Sequence, residues 1–230
     1  MTKAFVAGAT GLTGRHVVRL LREQGIETVA HVRPDSSRLD EWTTTFEAQG
    51  ARVDTTAWGA DPMAATMELE SPTVVFALLG TTKKRARRSS DPRKNTYEHV
   101  DYGLTHLLLE AARAAGSPRF VYLSSLGADS GRGAYLDVRR RIEAELAEGP
   151  LPWTSVRPGL IHGERDVARP GESVGKALGD GLLAVVGALG GSRIAAKYGS
   201  IHAPDLAAGI VRWALDPSGR DRVVETEELR

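Results

Sequence analysis

The sequence predicts an α/β chain built on a doubly wound parallel sheet, and two observations lead there. The first is an alternation of short, unbroken apolar runs with segments of helical spacing, which persists nearly to the end of the chain. Strands covered by helices on both faces read as continuous apolar runs, and strand–helix alternation argues for parallel pairing with right-handed crossovers. The second is the stretch Gly8-Ala9-Thr10-Gly11-Leu12-Thr13-Gly14, which sits directly between a strand-like and a helix-like segment.

The elements follow in chain order. Ala4-Phe5-Val6-Ala7 reads as the first strand, and Leu12, His16, Val17, Leu20 and Leu21 give the first helix its apolar face. Thr28–Val32, Ala51–Thr55, Val74–Leu79 and Phe120–Leu123 read as strands two to five, and Thr154–Val156 lies in the sixth. Val100, Leu104, Leu107, Leu108, Ala111 and Ala112 recur at the spacing of one long helix, which Gly116 and Pro118 end. Regularity fades after Pro158. Residues 159–172 suggest a long functional loop, and Glu172–Leu189 a glycine-interrupted helix. Ser200–Ala203 is a brief extended segment. Pro204 opens a helix that Asp216-Pro217 stops, and Arg222–Thr226 is a last strand. The expected unit is one domain over residues 1–230, with 159–200 forming most of a small C-terminal substrate-binding region.

Composition narrows the class. Of 230 residues, 41% are hydrophobic and 26% charged, enough to bury a core and keep a polar surface. A net charge of +1 gives no global case for nucleic acid or an acidic membrane. Cysteine is absent, which rules out disulfides, thiolate catalysis and Cys-ligated metals. The most apolar stretch, Leu182–Leu189, is far shorter than the about 20 residues of a bilayer crossing. With a strand beginning almost at the N-terminus, the simplest expectation is a cytoplasmic protein that binds neither membrane nor metal.

The glycine stretch carries the first chemistry. A backbone without side chains can approach a pyrophosphate, while the following helix directs its free N–H groups at the anion. Gly8 would make the tight turn, Gly11 would admit the phosphates, and Gly14 would let the helix pack on its strand. The expected cradle is the backbone of Gly8, Thr10, Gly11, Leu12, Thr13 and Gly14. Its Gly-x-x-Gly-x-x-Gly spacing differs from the commoner Gly-x-Gly-x-x-Gly, and a purely structural turn is the alternative.

The end of the second strand selects the nucleotide. An acidic residue there would bond the ribose 2′-hydroxyl of NAD(H). His31-Val32-Arg33-Pro34-Asp35-Ser36-Ser37-Arg38 instead offers Arg33 and Arg38, whose guanidinium groups match a 2′-phosphate, so NADP(H) is favoured. Asp35 keeps NAD(H) open, and surface arginines are the alternative reading. Leu79, Gly80, Thr81 and Thr82 end the fourth strand, where a doubly wound sheet lays its ligand across the strand ends. A basic run follows over residues 83–94. A solvated loop is its simplest reading and an anionic small-molecule substrate the next; nucleic acid is disfavoured, since no aromatics interleave with the charges.

The fifth strand runs into Ser124-Ser125, and Tyr135 and Arg139 stand four apart on a helix, on one face. A cation beside a phenol favours the phenolate and makes tyrosine usable as an acid or base. A serine at the neighbouring strand end could hold a substrate carbonyl. A half-buried tyrosine beside a surface arginine is the alternative. Residues 181–191, apolar and glycine-interrupted, are a candidate face for a homodimer.

These segments together resemble the atypical short-chain dehydrogenase/reductases, in particular the NmrA-like and Tat-interacting-protein-like oxidoreductases. The carriers are GATGLTG at 8–14, VFALLGTTKKRA at 75–86, VDYGLTHLLLEAA at 100–112 and YLSSLGAD at 122–129. YLDVRRRIEAEL at 135–146, VRPGLIHGERDVARPGE at 156–172 and IHAPDLA at 201–207 continue the match. The resemblance implies a Rossmann-type core holding NAD(P) through Gly8, Gly11 and Gly14, the glycine form this branch uses. It further implies a Ser–Tyr–Lys type of site, in which Ser124 or Ser125 matches the serine and Tyr135 the proton donor. Arg139 stands where the family has lysine. Arginine keeps the charge, but its planar fork is not an ammonium and passes on no proton. Arg157, Pro158 and Gly159 would end the sixth strand beside the nicotinamide. His162 would lie on the substrate side or else be an exposed loop histidine. The expected activity is hydride transfer to or from a carbonyl or alcohol, with a cofactor-binding sensor as the alternative.

Overall fold

Two alternating side-chain directions in the first strand set the layering of the molecule. The structure is a computed structural model that describes residues 2–81, 96–130, 132–163 and 199–230. In β1 (Lys3–Ala7), Ala4 and Val6 face one side and Phe5 and Ala7 the other, and all four are fully buried. Period-two alternation with both faces apolar requires helices above and below. Both layers are present. Val17, Val18 and Leu21 of α1 (Gly14–Glu23) and Leu206 and Ile210 of α6 (Ala203–Leu215) join Ala4 and Val6, with Trp42 and Phe46 of α2 (Leu39–Ala48) further along the same face. Met63 and Met67 of α3 (Ala60–Glu70), Leu108 and Leu109 of α4 (Thr105–Ala114) and Ile142 and Leu146 of α5 (Ala134–Glu148) cover Phe5 and Ala7.

The remaining strands are β2 (Glu27–His31), β3 (Arg52–Asp54), β4 (Val74–Ala77), β5 (Phe120–Leu123), β6 (Trp153–Arg157), β7 (Ile161–His162), β8 (Ile201–His202) and β9 (Arg222–Glu225). Six of these join β1 in one parallel sheet of seven strands, in the order β3-β2-β1-β4-β5-β6-β9. The direction of winding reverses between β1 and β4, and Ala4 pairs with Thr28 on one side and Val74 on the other. A crevice outside the carboxyl ends of these strands is where open α/β sheets bind ligands.

The expected strand order of the chain is therefore observed, and two differences have physical causes. The helix predicted through residues 100–112 opens as a π-helix, Tyr97–Leu104, before becoming α4. Apolar spacing does not distinguish the two windings, and the wider turn places Asp101 wholly inside. The segment Ser200–Ala203 pairs in parallel with residues inside the predicted loop, His202 standing opposite His162 in a separate two-stranded sheet. Such long-range pairing leaves no local signal. The predicted helix Glu172–Leu189, the candidate dimer face 181–191, Thr82 and the basic run 83–94 lie outside the described residues, as does most of the substrate-side region 159–200.

One buried cation fastens the C-terminal part to the sheet. Arg119, just before β5, is buried and donates to the Thr154 hydroxyl at 2.8 Å, to the Trp213 carbonyl at 2.9 Å and to the Asp216 carbonyl at 3.3 Å. The last two carbonyls belong to the end of α6, where a cation meets the negative pole of the helix. Thr154 passes the connection on by donating to the Gly219 carbonyl at 2.8 Å. Replacing Arg119 by Met should strand three acceptors and lower stability by about 2–3 kcal/mol, read as an earlier midpoint in urea unfolding.

Candidate active site

The glycine turn is built by three close approaches. Gly8 has φ +82°, and a Cβ there would lie 2.5 Å from the Leu78 carbonyl oxygen at the end of β4. A Cβ on Gly14 would overlap the Gly8 carbonyl oxygen, so the first turn of α1 rests directly on the turn that precedes it. Gly11 differs. It is exposed, its N–H donates to the Gly8 carbonyl at 2.9 Å, and a Cβ on it would meet only that carbonyl, at 3.1 Å. Thr13 stands at the N-cap of α1 without a side-chain cap, and the first turn carries no acid. The Arg15 and His16 N–H groups already donate to the Gly11 and Thr13 carbonyls, at 3.2 and 3.1 Å, so the helix start offers chiefly its positive pole, with no carboxylate of the first turn opposing it. Thr10 and Leu12 are half-buried in the same turn.

Beyond the turn, Arg33 is about half exposed and lies 3.4 Å from Asp35, a loose surface pair. Arg38 is committed elsewhere. It bonds Glu41, with Nε donating to Oε2 at 2.6 Å, and stacks on Trp42 at 4.7 Å. Of the two guanidinium groups, Arg33 is the less tightly held by its own chain. Deeper in the same strand end, His31 is buried, shares a hydrogen bond with the Thr56 carbonyl at 2.9 Å and meets Trp58 edge-on at 4.8 Å. Burial holds it below the usual histidine range.

At the ends of β4 and β5 the predicted residues converge on Arg139. This side chain, on the buried face of α5, is 4% exposed. It donates to the Leu123 carbonyl at 2.8 Å, to the Tyr122 hydroxyl at 3.1 Å and to the Leu79 carbonyl at 3.4 Å, and it pairs with Asp101. Its guanidinium also stands 5.1 Å from the centre of the Tyr135 ring. Burial opposes the charge, but the Tyr122 and Tyr135 phenols and the Asp101 carboxylate outweigh it and raise Arg139 above its ordinary value. Burial pushes Tyr122 up to about 12, against the pull of Arg139, so it remains a neutral phenol. Tyr135 is half-buried and packs on Tyr97 with ring centres 5.2 Å apart.

The two serines separate clearly. Ser125 is half-buried and its hydroxyl donates to the Leu126 carbonyl at 3.3 Å. Ser124 is 3% exposed, and its hydroxyl meets no hydrogen-bond partner among the described residues. Arg139 Nε is likewise buried and unpartnered. A buried polar group without a partner costs about 1–3 kcal/mol, so a site that keeps two of them beside a strand end is suited to polar ligand atoms. Together with a glycine cradle that side chains would fill, these residues fit a nicotinamide dinucleotide: the turn for its phosphates, the ends of β4 and β5 for its ribose and ring.

Arg157 is the last residue of β6, and its side chain is engaged within the protein. Its guanidinium bonds Glu143 on α5 in bidentate fashion, at 2.9 and 2.6 Å, and Ser155 donates to the same carboxylate at 2.6 Å. It fastens α5 to β6. Pro158 and Gly159 follow β6; the Pro158 carbonyl accepts from Leu126 N–H at 2.9 Å, and Gly159 N–H donates to the Thr226 hydroxyl at 2.8 Å. His162 is half-buried on β7 with its ring 3.7 Å from that of His202. This small sheet adjoins the glycine turn, since a Cβ on Gly163 would lie 3.4 Å from Leu12 Cδ1. Sequence reading passed over His202, Tyr97 and Asp101. For Asp101 a signal existed: it falls seven residues before the buried Leu108, a charge on an apolar helix face.

The parallel sheet, the reversal between β1 and β4 and this cradle define a nicotinamide-dinucleotide-binding protein of the atypical short-chain dehydrogenase/reductase kind. A family model described as NAD(P)H-binding matches residues 8–181, and the chain belongs to that family. The mitochondrial protein fmp52 of Aspergillus fumigatus is 31% identical over 181 residues, covering 75% of this chain and 72% of its own. Among solved structures, a UDP-glucose 4-epimerase from Thermotoga maritima superposes with a TM-score of 0.67 at 18% identity over 98% of this chain and 77% of its own. An NADPH-dependent quinone oxidoreductase from Escherichia coli, solved with NADPH, gives a TM-score of 0.63 at 18% identity over 97% of this chain and 68% of its own. The Fmp52 proteins of several fungi carry the word mitochondrial in their names, which overturns the cytoplasmic expectation. That expectation rested on short apolar runs and an early strand, which bear on membrane crossing and not on compartment; no helix among the described residues is long and apolar enough to cross a membrane.

The glycines predict a split between two variants. Gly14→Ala should lower the melting temperature sharply, because its Cβ has only backbone to displace. Gly11→Ala should fold near normally yet bind NADPH about tenfold or more weakly, as seen by calorimetric titration of both proteins.

Proposed function

We propose that the protein is an NADP(H)-preferring oxidoreductase that interconverts a small carbonyl compound and its alcohol. The observation that supports this most is the guanidinium of Arg139 held 5.1 Å from the Tyr135 ring, beside a strand end where Ser124 keeps its hydroxyl unengaged. The bound cofactor supplies the hydride. In the reducing direction the Tyr135 hydroxyl gives its proton to the carbonyl oxygen, leaving a phenolate, and Ser124 donates a hydrogen bond that orients that oxygen. In the reverse direction the Tyr135 phenolate takes the alcohol proton. Arg139 keeps a fixed positive charge 5.1 Å from the centre of the Tyr135 ring and itself exchanges no proton. Arg33 supports the preference for NADP(H), since a guanidinium matches the oxygens of a 2′-phosphate. The basic residues 83–94 favour an anionic substrate.

A cofactor sensor without turnover is the second reading, and one observation favours it. Most of the Arg139 donors are already taken by Leu123, Tyr122, Leu79 and Asp101. Turnover of NADPH across a panel of aldehydes, ketones and quinones separates the two readings. The enzyme reading expects turnover that falls by about 10²–10⁴-fold in Tyr135→Phe, while NADPH binding is kept. Binding without any turnover in the wild type overturns it in favour of the sensor. For the cofactor itself, Arg33→Ala should weaken NADPH by about tenfold and leave NADH unchanged in separate titrations.

A further inference from the structure

Asp101 is fully buried, stands on the π-helix and has no part in the chemistry just described. Its two carboxylate oxygens do different things. Oδ1 pairs with Arg139 Nη2, and Oδ2 accepts the backbone N–H of Thr81 at 3.0 Å. Thr81 belongs to the segment that follows β4, and the neighbouring Gly80 lies directly over the pair. A Cβ on Gly80 would stand 3.3 Å from Arg139 Nη2 and 3.6 Å from Asp101 Oδ1. Arg139 meanwhile reaches the carbonyls of Leu79 and Leu123, at the ends of β4 and β5. One carboxylate therefore connects the segment after β4 to the cation beside Tyr135, and through that cation to the end of β5.

We propose that Asp101 is a positioning residue that sets cofactor affinity by holding Arg139 and the Leu79–Thr81 backbone in one arrangement before the cofactor arrives. The inference rests on the nicotinamide reading of the site. Both partners of Asp101 are donors, and a carboxylate accepts at both oxygens. Asparagine replaces one of the two acceptor oxygens by an NH2 group, so with Thr81 and Arg139 on opposite side-chain atoms it can accept from one and not from the other. With Arg139 in place, Asp101→Asn leaves a buried guanidinium without its counter-charge and turns an N–H group against either Arg139 or Thr81. Without Arg139 the same substitution is harmless, since one acceptor is enough for Thr81. A lysine at position 139, the residue the resemblance leads one to expect, would hold fewer of these carbonyls with its compact head. The arginine thus calls for a buried partner that fixes its plane.

The test is a double-mutant cycle in the full chain, using Asp101→Asn, Arg139→Met and both together, with NADPH titrated by calorimetry below the lowest melting temperature of the set. Asp101→Asn should raise the Kd about tenfold in the wild-type background and leave it within about twofold in the Arg139→Met background. A pair that served stability alone would show this coupling in melting temperature and not in Kd. If Asp101→Asn alone does not fold, the inference stands or falls on the double variant, which must fold and match Arg139→Met in Kd. An unchanged Kd in Asp101→Asn, or effects that multiply in the double variant, overturns the inference and leaves the nicotinamide reading intact. A wild-type chain that binds neither NADPH nor NADH overturns both.

Discussion

A buried ion pair sets the terms for everything at the carboxyl edge of the sheet. Taking two charges out of water costs several kcal/mol per ion, and attraction offsets that cost only when geometry is good and the remaining donors are met. Arg139 and Asp101 meet most of this demand with the molecule's own backbone, strand-end carbonyls for the guanidinium and a loop N–H for the carboxylate, while Arg139 Nε stays without a partner among the described residues. The π-helix that carries Asp101, the glycine at position 80 and the inward turn of Arg139 on α5 all serve one requirement. Hydrogen bonds to charged groups in a low-dielectric setting are strong and directional, so a pair of this kind makes a rigid floor.

The glycine turn supplies the complementary surface by a different physical route. There the requirement is the removal of side-chain volume, not the placement of charge. Gly8 and Gly14 let three pieces of backbone touch, and Gly11 keeps the outer surface bare. The start of α1, with no acid in its first turn, then turns a positive pole toward this surface. The two halves of the crevice thus differ in kind, bare backbone at the turn and a buried ion pair beside Tyr135.

Several guanidinium groups illustrate how far charge alone is from function. Arg38, Arg119 and Arg157 all lie near strand ends or helix ends that sequence reasoning associates with ligands or surfaces. Arg38 stacks on Trp42, Arg119 ends α6, and Arg157 clamps Glu143. Arg33 differs from these three in that its partner, the exposed Asp35, is met only in a loose surface pair at 3.4 Å.

The sequence by itself determined the α/β class, the order of the strands and the place of the glycine turn, because each is written in local periodicity and in glycines whose need is local. It also placed Ser124, Tyr135 and Arg139 in one neighbourhood through helical spacing and through the resemblance these segments carry. It could not choose between Ser124 and Ser125, since the difference is one of burial. It could not show that Arg139 is matched by Asp101, that Arg157 turns to Glu143, or that His162 lies against His202. Those pairings join residues 38, 14 and 40 positions apart, respectively. Only the packing of α5 against the π-helix and β6, and of β7 against β8, brings their side chains within reach.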